Sequence, residues 1–281
     1  MIIRPGLRYA YNTIYKAPLV PSINVRYKTK NNITFRASYA NGFRAPDLKE
    51  LYFYFVDINH NIKGNPDLKA EYSENYNLSA NYSKIKSNKI YKIEGSAFYN
   101  NIRNLITLAQ TTGSEYSYVN IGKYKTIGIQ LNAEFGINHL KVSLGGSYIG
   151  RYNELSETLN IEPFSYTPEI KSNVFYEFKK MGLTTALFYK YSGKLPGYIL
   201  DTDNNIKQTF INGYHIADCS VSKFLWKKRI NISIGSKNIF NIKNITAFAS
   251  GSVHSSNSNS VPVGAGRTYF IKLDINLNTK K

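Results

Sequence analysis

The amino-acid sequence predicts an all-β protein, an antiparallel transmembrane β-barrel of about twelve strands. Three observations support this prediction. Apolar and polar residues alternate along segments of about ten residues, short and long connections alternate between the segments, and tyrosines cluster near the segment ends. In the last segment Tyr269, Ile271 and Leu273 share one face, whereas Lys272 and Asp274 share the other. Strands of about 9–11 residues suit a bilayer better than a soluble β-sandwich, the alternative architecture, whose strands average about five or six.

The alternating segments follow one another along the whole chain. They lie near residues 2–11, 19–29, 32–42, 71–83, 89–103, 116–135, 139–151, 166–179, 182–195, 213–226, 228–240 and 266–278. Short turns are predicted at 29–32, 84–88, 136–138, 180–182 and 226–229, and long connections at 43–70, 107–115, 152–165, 196–212 and 245–265. Because successive strands of an antiparallel barrel reverse direction, all short turns then lie at one rim and all long loops at the other.

The composition limits the possible functions. Hydrophobic residues make up 42% and aromatic residues 14% of the 281 residues, which excludes a disordered chain. A single cysteine, Cys219, excludes an intramolecular disulfide and a four-thiolate metal site. The formal charge of +18 raises the question of nucleic acid as a partner. The basic residues, however, are scattered over turns and alternating strand positions without any nucleic-acid-binding motif, so no nucleic-acid partner is expected.

Two sequence boxes bracket the longest connection. The first is Gly42-Phe43-Arg44-Ala45-Pro46, and the second is Gly64-Asn65-Pro66-Asp67-Leu68, followed by Lys69 and Glu71. Further boxes lie at 98–106, 237–241 and 266–270. Their order and spacing resemble those of TonB-dependent outer-membrane receptors. Pro46 and Pro66 cannot donate to a strand ladder, so both boxes are also interpreted as structural hinges where the chain leaves the sheet.

The resemblance implies a fold, a location and partners. Barrels of this family have 22 strands and follow a plug domain, so residues 1–281 are expected to form the C-terminal half of such a barrel, without the plug. The implied location is the bacterial cell outer membrane, and the implied function is active transport of a nutrient such as an iron complex. The implied partners are outer-membrane lipid, the TonB-ExbB-ExbD complex acting through the plug, a small iron-complex ligand and a surface lipoprotein.

The resemblance also suggests ligand-binding residues. In haem receptors of this family the two boxes bracket a loop histidine that ligates haem iron, and His60 occupies that interval here. Neutral imidazole is a suitable axial ligand for iron. Tyr52 and Tyr54 are predicted to supply phenolate or stacking contacts, and Arg44 and His254 complete the predicted ligand-binding set. No resident cofactor is expected, because haem would be the transported ligand.

Other functions stay open at this point. Siderophore and cobalamin receptors carry the same boxes, so the transported ligand is not determined. A passive porin-like barrel is a second alternative. An outer-membrane enzyme would need serine or aspartate beside histidine at one rim, and only the serine-rich stretch around His254 hints at this. The chain is therefore not expected to be an enzyme.

Overall fold

The computed structural model describes residues 1–57, 61–112, 115–153, 164–200, 206–226, 229–246 and 260–276. The first part of the chain contains β1 (Ile2–Arg8), β2 (Val20–Lys28), β3 (Ile33–Arg44), α1 (Leu48–Tyr52), β4 (Tyr54–Val56), β5 (Asn61–Lys63), β6 (Glu71–Lys86), β7 (Lys89–Thr112), β8 (Glu115–Ile137) and β9 (Leu140–Asn153). The second part contains β10 (Ser165–Phe178), a 3₁₀ turn (Lys179–Met181), β11 (Leu183–Ser192), β12 (Leu195–Leu200), β13 (Ile206–Ile211), β14 (Tyr214–Leu225), β15 (Ile230–Lys237), β16 (Asn244–Thr246), β17 (Ser260–Pro262) and β18 (Thr268–Ile275).

The long strands form one antiparallel sheet in which chain neighbours are also sheet neighbours. The order is β1-β2-β3-β6-β7-β8-β9-β10-β11-β14-β15-β18, so all twelve predicted strands are present within the described residues. The all-β antiparallel fold is thereby confirmed. In this part of the chain β1 pairs only with β2, and β18 pairs only with β15. The sheet is therefore an open wall and does not close on itself.

The two faces of the wall differ in chemistry. One row across five strands reads Tyr27, Phe35, Ala80, Gly95 and Leu131, all on the same side. The neighbouring row on the other side is made of Arg26, Arg36, Ser79, Ser96 and Gln130. We call these the lipid face and the lumen face. Leucine and isoleucine side chains stay largely exposed on the lipid face, as a wall that contacts hydrocarbon requires.

The short turns are tight and share one backbone feature. Among the described residues, each turn contains one residue in the left-handed region: Asn32, Ser87, Asn138, Gly182 and Trp226, with φ between 48° and 61°. Glycine and asparagine adopt this conformation at low cost, which explains the choice of residue in three of the five turns. The predicted short-turn rim is therefore confirmed by backbone geometry.

The long connections differ from the prediction. Residues 107–115 were expected to form a loop, but β7 and β8 continue pairing as far as Thr112 and Glu115, so that prediction is wrong. Val119 and Ile121 of β8 lie opposite Thr107 and Leu105 of β7, and this pairing outweighs the nearby turn-forming residues. Other long connections contain hairpins, namely β4–β5, β12–β13 and β16–β17. In the described part of the chain, no helix has the length and apolar character needed to span a bilayer.

Candidate functional site

The connection between β3 and β6 folds against the long-loop rim of the wall. We call its described residues, 45–57 and 61–70, the rim loop. It begins with α1, whose N-cap residue is Asp47. The Asp47 side chain accepts a hydrogen bond from the Glu50 amide at 2.8 Å, and Glu50 Oε2 accepts one from the Asp47 amide at 2.9 Å. This capping box supplies partners for two amides that a short helix would otherwise leave unpaired.

Arg44 links the helix to the wall. Its Nε and Nη2 donate to the two oxygens of Glu71 at 2.8 and 2.7 Å, and Nη1 donates to Glu50 Oε2 at 2.8 Å. Glu71 Oε1 also accepts a hydrogen bond from the amide of Ile106 at 2.7 Å. The Arg44 guanidinium therefore joins the end of β3, the helix α1 and the start of β6. The hydrogen bond from the Ile106 amide to Glu71 connects the same cluster to β7.

The charges in this cluster shift each other's pKa. Burial by itself raises the pKa of Glu71, but the Arg44 hydrogen bonds and the Ile106 amide outweigh it, so the pKa lies below its ordinary value of 4.5. The pKa of Arg44 is raised, mainly by its hydrogen bonds to Glu71. Both groups are therefore charged at neutral pH, and their attraction holds the rim loop against the wall.

A pH dependence follows from the lowered pKa of Glu71. A carboxylate with a depressed folded-state pKa contributes stability above its unfolded pKa and loses that contribution as the pH falls through the folded value. We therefore expect the rim loop to be fully held at pH 7 and to loosen at pH values below 4.5. Hydrogen exchange at the Ile106 amide, corrected for intrinsic rates, measures this loosening. The Gly193 amide, which donates to the carbonyl of Pro168 instead, should keep its protection over the same range.

The second box packs beneath the helix. Leu68 and Leu51 are buried together with Ile106 of β7, and Tyr118 of β8 packs against them. The side chain of Asn65 donates to the carbonyl of Tyr118 at 2.9 Å and accepts from the Asp67 amide at 2.9 Å. The Lys69 backbone is held by Asn120, which accepts from its amide at 2.8 Å and donates to its carbonyl at 3.0 Å. The second box therefore attaches the rim loop to the β7–β8 hairpin by packing and by hydrogen bonds.

Gly64 lies where the returning chain crosses the helix. Its amide donates to the carbonyl of Phe53 at 2.6 Å, and the next amide, of Asn65, donates to the carbonyl of Glu50 at 2.8 Å. A Cβ atom at Gly64 would lie 2.6 Å from backbone atoms of Leu51 and Tyr52. The absence of a side chain is what permits this close approach.

The hairpin β4–β5 adds a further contact between the rim loop and β8. β5 pairs in parallel with β8, with Ile62 opposite Tyr116 and Lys63 opposite Ser117. Lys63 Nζ lies 2.5 Å from Glu115 Oε2. The strands that flank the segment 58–60 are thus held in place, because β4 pairs with β5 and β5 pairs with β8.

The predicted ligand-binding residues are distributed unevenly over this frame. Tyr52 and Tyr54 are 62% and 73% exposed, at the end of α1 and the start of β4. Arg44 is engaged by two carboxylates, so its role in ligand binding stays a prediction. His60 and His254 lie outside the described residues, and their roles stay predictions as well. Of the other box residues, Phe43 packs on Tyr72, Ala45 is half-buried, and Pro46 and Leu68 are buried.

Sequence reasoning missed several residues that build the site. Glu50, Ile106, Tyr118 and Asn120 were not predicted to take part. The spacing of Asp47 and Glu50 is a recognisable capping-box signature and could have revealed the helix. Asn120 carries no comparable signal, because its role depends on β8 lying beside the second box. Within the described residues, no group of three or more histidine, cysteine or acidic side chains is placed to hold a metal ion.

Comparison with known proteins agrees with this architecture. The family described as "TonB dependent receptor-like, beta-barrel" matches residues 2–242, most of the chain. The chain belongs to the TonB-dependent receptor family. Receptors of this family lie in the outer membrane, and this chain is accordingly an outer-membrane protein. The exposed lipid face of the sheet has the chemistry that this location requires.

Individual relatives show which receptors the chain is similar to. It is 28% identical over 191 residues to the "Heme/hemopexin utilization protein C" of Haemophilus influenzae strain 86-028NP, covering 57% of this chain and 27% of that protein. It is 32% identical over 123 residues to a "Probable hemoglobin and hemoglobin-haptoglobin-binding protein 3" of Haemophilus influenzae, covering 40% of this chain and 11% of the relative. The chain therefore spans only a minor part of the length of these relatives.

Solved structures share the fold. The siderophore receptor PirA from Acinetobacter baumannii superimposes with a TM-score of 0.67 at 18% identity, covering 93% of this chain and 41% of that structure. The FrpB iron transporter from Neisseria meningitidis superimposes with a TM-score of 0.65 at 19% identity, covering 91% of this chain and 39% of that structure. At such identities the similarity establishes the fold alone, an antiparallel barrel wall of which this chain supplies a part.

Proposed function

We propose that this chain forms part of the barrel of an outer-membrane receptor that imports an iron complex, and that the complex is haem. The relatives that support haem are described as a haem/haemopexin utilization protein and as a probable haemoglobin- and haemoglobin–haptoglobin-binding protein. The chain's own contribution is the rim loop together with the lumen face. We further propose that TonB, with ExbB and ExbD, drives transport through a plug, and that a surface lipoprotein assists delivery. The function needs no covalent chemistry and is not enzymatic.

The observation that carries this proposal is the construction of the rim loop. Arg44, the capping box and the buried pair Leu51 and Leu68 hold both ends of the loop against the wall. The same fixed frame leaves Tyr52 and Tyr54 exposed, beside the segment that contains His60. Aromatic side chains on a rigid base offer apolar faces and phenol groups to a flat ligand at little entropic cost.

In this proposal His60 supplies the axial ligand to haem iron. The full-length chain in detergent micelles should give the absorbance shift of imidazole-ligated haem on titration. We expect His60→Ala to weaken haem binding by at least about tenfold, because the variant loses its bond to iron and even a hydrogen bond to a charged group is worth about 1.5–3 kcal/mol. His139→Ala is the matched control, since His139 lies at a short turn on the opposite rim.

The possible outcomes test two points separately: which residue ligates the iron, and whether the bound iron complex is haem. Equal haem affinity in the His60→Ala and His139→Ala proteins would show that His60 is not the iron ligand. If Tyr52→Ala or Tyr54→Ala then weakened binding, the ligand would be a phenolate instead. A parent chain that bound an iron-loaded catechol siderophore and not haem would contradict the haem assignment itself.

A further inference from the structure

A row of tyrosines crosses the lipid face below the long-loop rim. Tyr39, Tyr76 and Tyr99 are aligned across β3, β6 and β7, and successive ring centroids are 4.9 and 6.2 Å apart. Tyr91, eight residues before Tyr99, packs edge-on against Phe135 of β8. Eight residues span about 26 Å along a strand, or about 20 Å of height at a tilt of about 40°. This height is close to that of the apolar band of an outer-membrane barrel, so the tyrosine row marks the membrane interface nearest the long-loop rim.

Three basic residues lie just beyond this row on the same side of the wall. Lys125 is two residues beyond Ile127, the residue opposite Tyr99. Arg103 and Lys123 are directly opposite each other, two residues farther toward the rim. Even spacings along a strand keep side chains on one face, and they place these charges about 5 and 10 Å above the tyrosine row. Lipid headgroups lie at this level.

The strand pairing brings the three cations within reach of one anion. Directly opposed Cβ atoms are about 4.5–5.5 Å apart, as for Arg103 and Lys123, and diagonal neighbours about 7–8 Å, as for Arg103 and Lys125. The Lys125 ammonium lies 4.8 Å from the centre of the Tyr152 ring, and the side chains of Arg103 and Lys123 are exposed. All three charged ends can therefore converge on a ligand that approaches from outside the wall.

The charge balance of this surface is positive. Among the described residues, the carboxylate beside the cluster is Glu74, whose Oε1 lies 3.9 Å from Nη2 of Arg103. Both side chains of this pair are well exposed, at 36% and 60%, so water weakens their attraction. Three cations and one carboxylate leave an excess of two positive charges. An anionic ligand would balance this excess.

The outward surface also contains a cavity of about 430 Å³ between β6, β7 and β8. It is lined by Tyr72, Arg103, Asn104, Gly122 and Lys123. A guanidinium binds phosphate oxygens through two hydrogen bonds, an ammonium adds a point charge, and the phenol of Tyr72 can donate a further hydrogen bond. The volume is within the range of small-molecule pockets and suits one phosphorylated headgroup.

We propose that Arg103, Lys123 and Lys125 bind the phosphate groups of a lipid in the outer leaflet of the membrane. The long loops of an outer-membrane barrel are extracellular, so the headgroups nearest this rim are those of the outer leaflet. In a closed barrel the cluster is on the outer side, which neither a plug nor a ligand in the lumen can reach. The inference goes beyond the proposed function and does not depend on the transported ligand.

Diphosphorylated lipid A is the probe for this site. Native mass spectrometry of the full chain in non-ionic detergent micelles measures how much lipid is bound at each concentration. Lys123→Gln should weaken binding about fivefold, and Lys123→Gln with Lys125→Gln about 25-fold, if each charge near an anionic headgroup contributes equally. Lys190→Gln is the matched control, because Lys190 lies on the lumen face and Glu169 there keeps its second partner, Lys171, at 2.8 Å. Its lipid affinity should equal that of the parent chain.

Two further comparisons test the role of charge and phosphate. Glu74→Gln removes the neighbouring carboxylate, so it should strengthen lipid binding, which a merely structural role of the cluster would not produce. Arg103→Lys keeps the charge and loses the two-point contact, so it should weaken binding less than Arg103→Gln. Monophosphorylated lipid A should bind the parent chain more weakly than the diphosphorylated form, and this difference should shrink in the double lysine variant.

The outcomes that would overturn the proposal are distinct. Equal lipid affinity in the parent chain and the double lysine variant would show that the cluster does not bind the headgroup. Inorganic phosphate that displaced the lipid at equal concentration would indicate a site for a free anion instead. Hexaglutamate binding that needed the two lysines, without lipid binding, would indicate an acidic protein segment.

Trypsin resistance provides the folding control. In lipid-free micelles the lysine variants should keep the protection of the rim loop, because the outward cations lie on the other side of the wall from the Arg44 and Glu71 pair. A fall in lipid affinity with unchanged protection then reflects the lost charges. His60→Ala should leave lipid affinity unchanged, so that failure of the haem proposal and failure of the lipid proposal are told apart.

Discussion

Gly64→Val is expected to detach the rim loop from the wall. A Cβ atom at this position would lie 2.6 Å from backbone atoms of Leu51 and Tyr52, and backbone cannot turn aside as a side-chain end can. Relieving the clash must lengthen the bonds from the Gly64 and Asn65 amides to the carbonyls of Phe53 and Glu50. We expect a loss of about 3 kcal/mol in local stability, the upper part of the usual range for overpacking.

Limited trypsin digestion measures this effect. Lys49, Lys63 and Lys69 are cleavage sites within the rim loop, and each should become accessible in Gly64→Val. Gly264→Ala is the control, because an added Cβ there has no atom within 4 Å. Unchanged cleavage of Gly64→Val would mean that the crossing of the two chain segments is looser than the structure has it. Haem affinity should fall together with protection, since the exposed tyrosines depend on the same frame.

The sheet could be predicted from sequence because one physical signal repeats along it. A wall with lipid on one side and water on the other forces a period of two onto each strand. A shift of one residue would place Lys272 or Asp274 against lipid, so the register is set by the side chains themselves. The charge of +18 is explained by the same pattern. Many of its lysines lie on the lumen face or at short turns, positions that are wet in a barrel.

The connections could be predicted less well because competing signals act there. The stretch 107–115 contains threonine, glycine and serine, which favour turns, yet pairing between β7 and β8 continues to its end. The helix α1 is only five residues long, too short to show a helical period. Contacts such as that of Asn120 with Lys69 join residues 51 positions apart, and no local pattern reports them.

The predicted site is a mixed case. The two boxes were interpreted both as hinges and as the frame of a ligand site. In the structure both boxes lie in the region where the rim loop packs against the wall. Arg44 illustrates why residue type alone is ambiguous. An exposed arginine beside a predicted haem-binding loop suits a haem carboxylate, but the same guanidinium also suits Glu50 and Glu71, which adjacent backbone brings to it. Only the fold reveals which carboxylates are within reach.

Arg44→Ala decides between these two roles. The substitution leaves Glu50 and Glu71, whose side chains are 13% and 14% exposed, without their shared cation. Breaking a fully buried ion pair costs about 3–5 kcal/mol. The Arg44 side chain is 43% exposed, so water replaces part of the interaction and we expect about 2 kcal/mol. Arg103→Ala is the control, because Arg103 lies 3.9 Å from Glu74 in an exposed pair and its loss should cost little.

A second substitution separates a broken pair from a lost ligand contact. In Arg44→Ala with Glu71→Gln, one unpaired charge is removed, and the remaining side-chain oxygen can still accept from the Ile106 amide. The double variant should therefore resist trypsin better than Arg44→Ala alone, by about 1 kcal/mol of coupling within the cluster. If the rim loop regained protection and haem affinity returned with it, Arg44 would act by positioning the loop. If protection returned while haem affinity stayed low, the guanidinium itself would contact the ligand, and the two glutamates would be its counter-ions in the unliganded receptor.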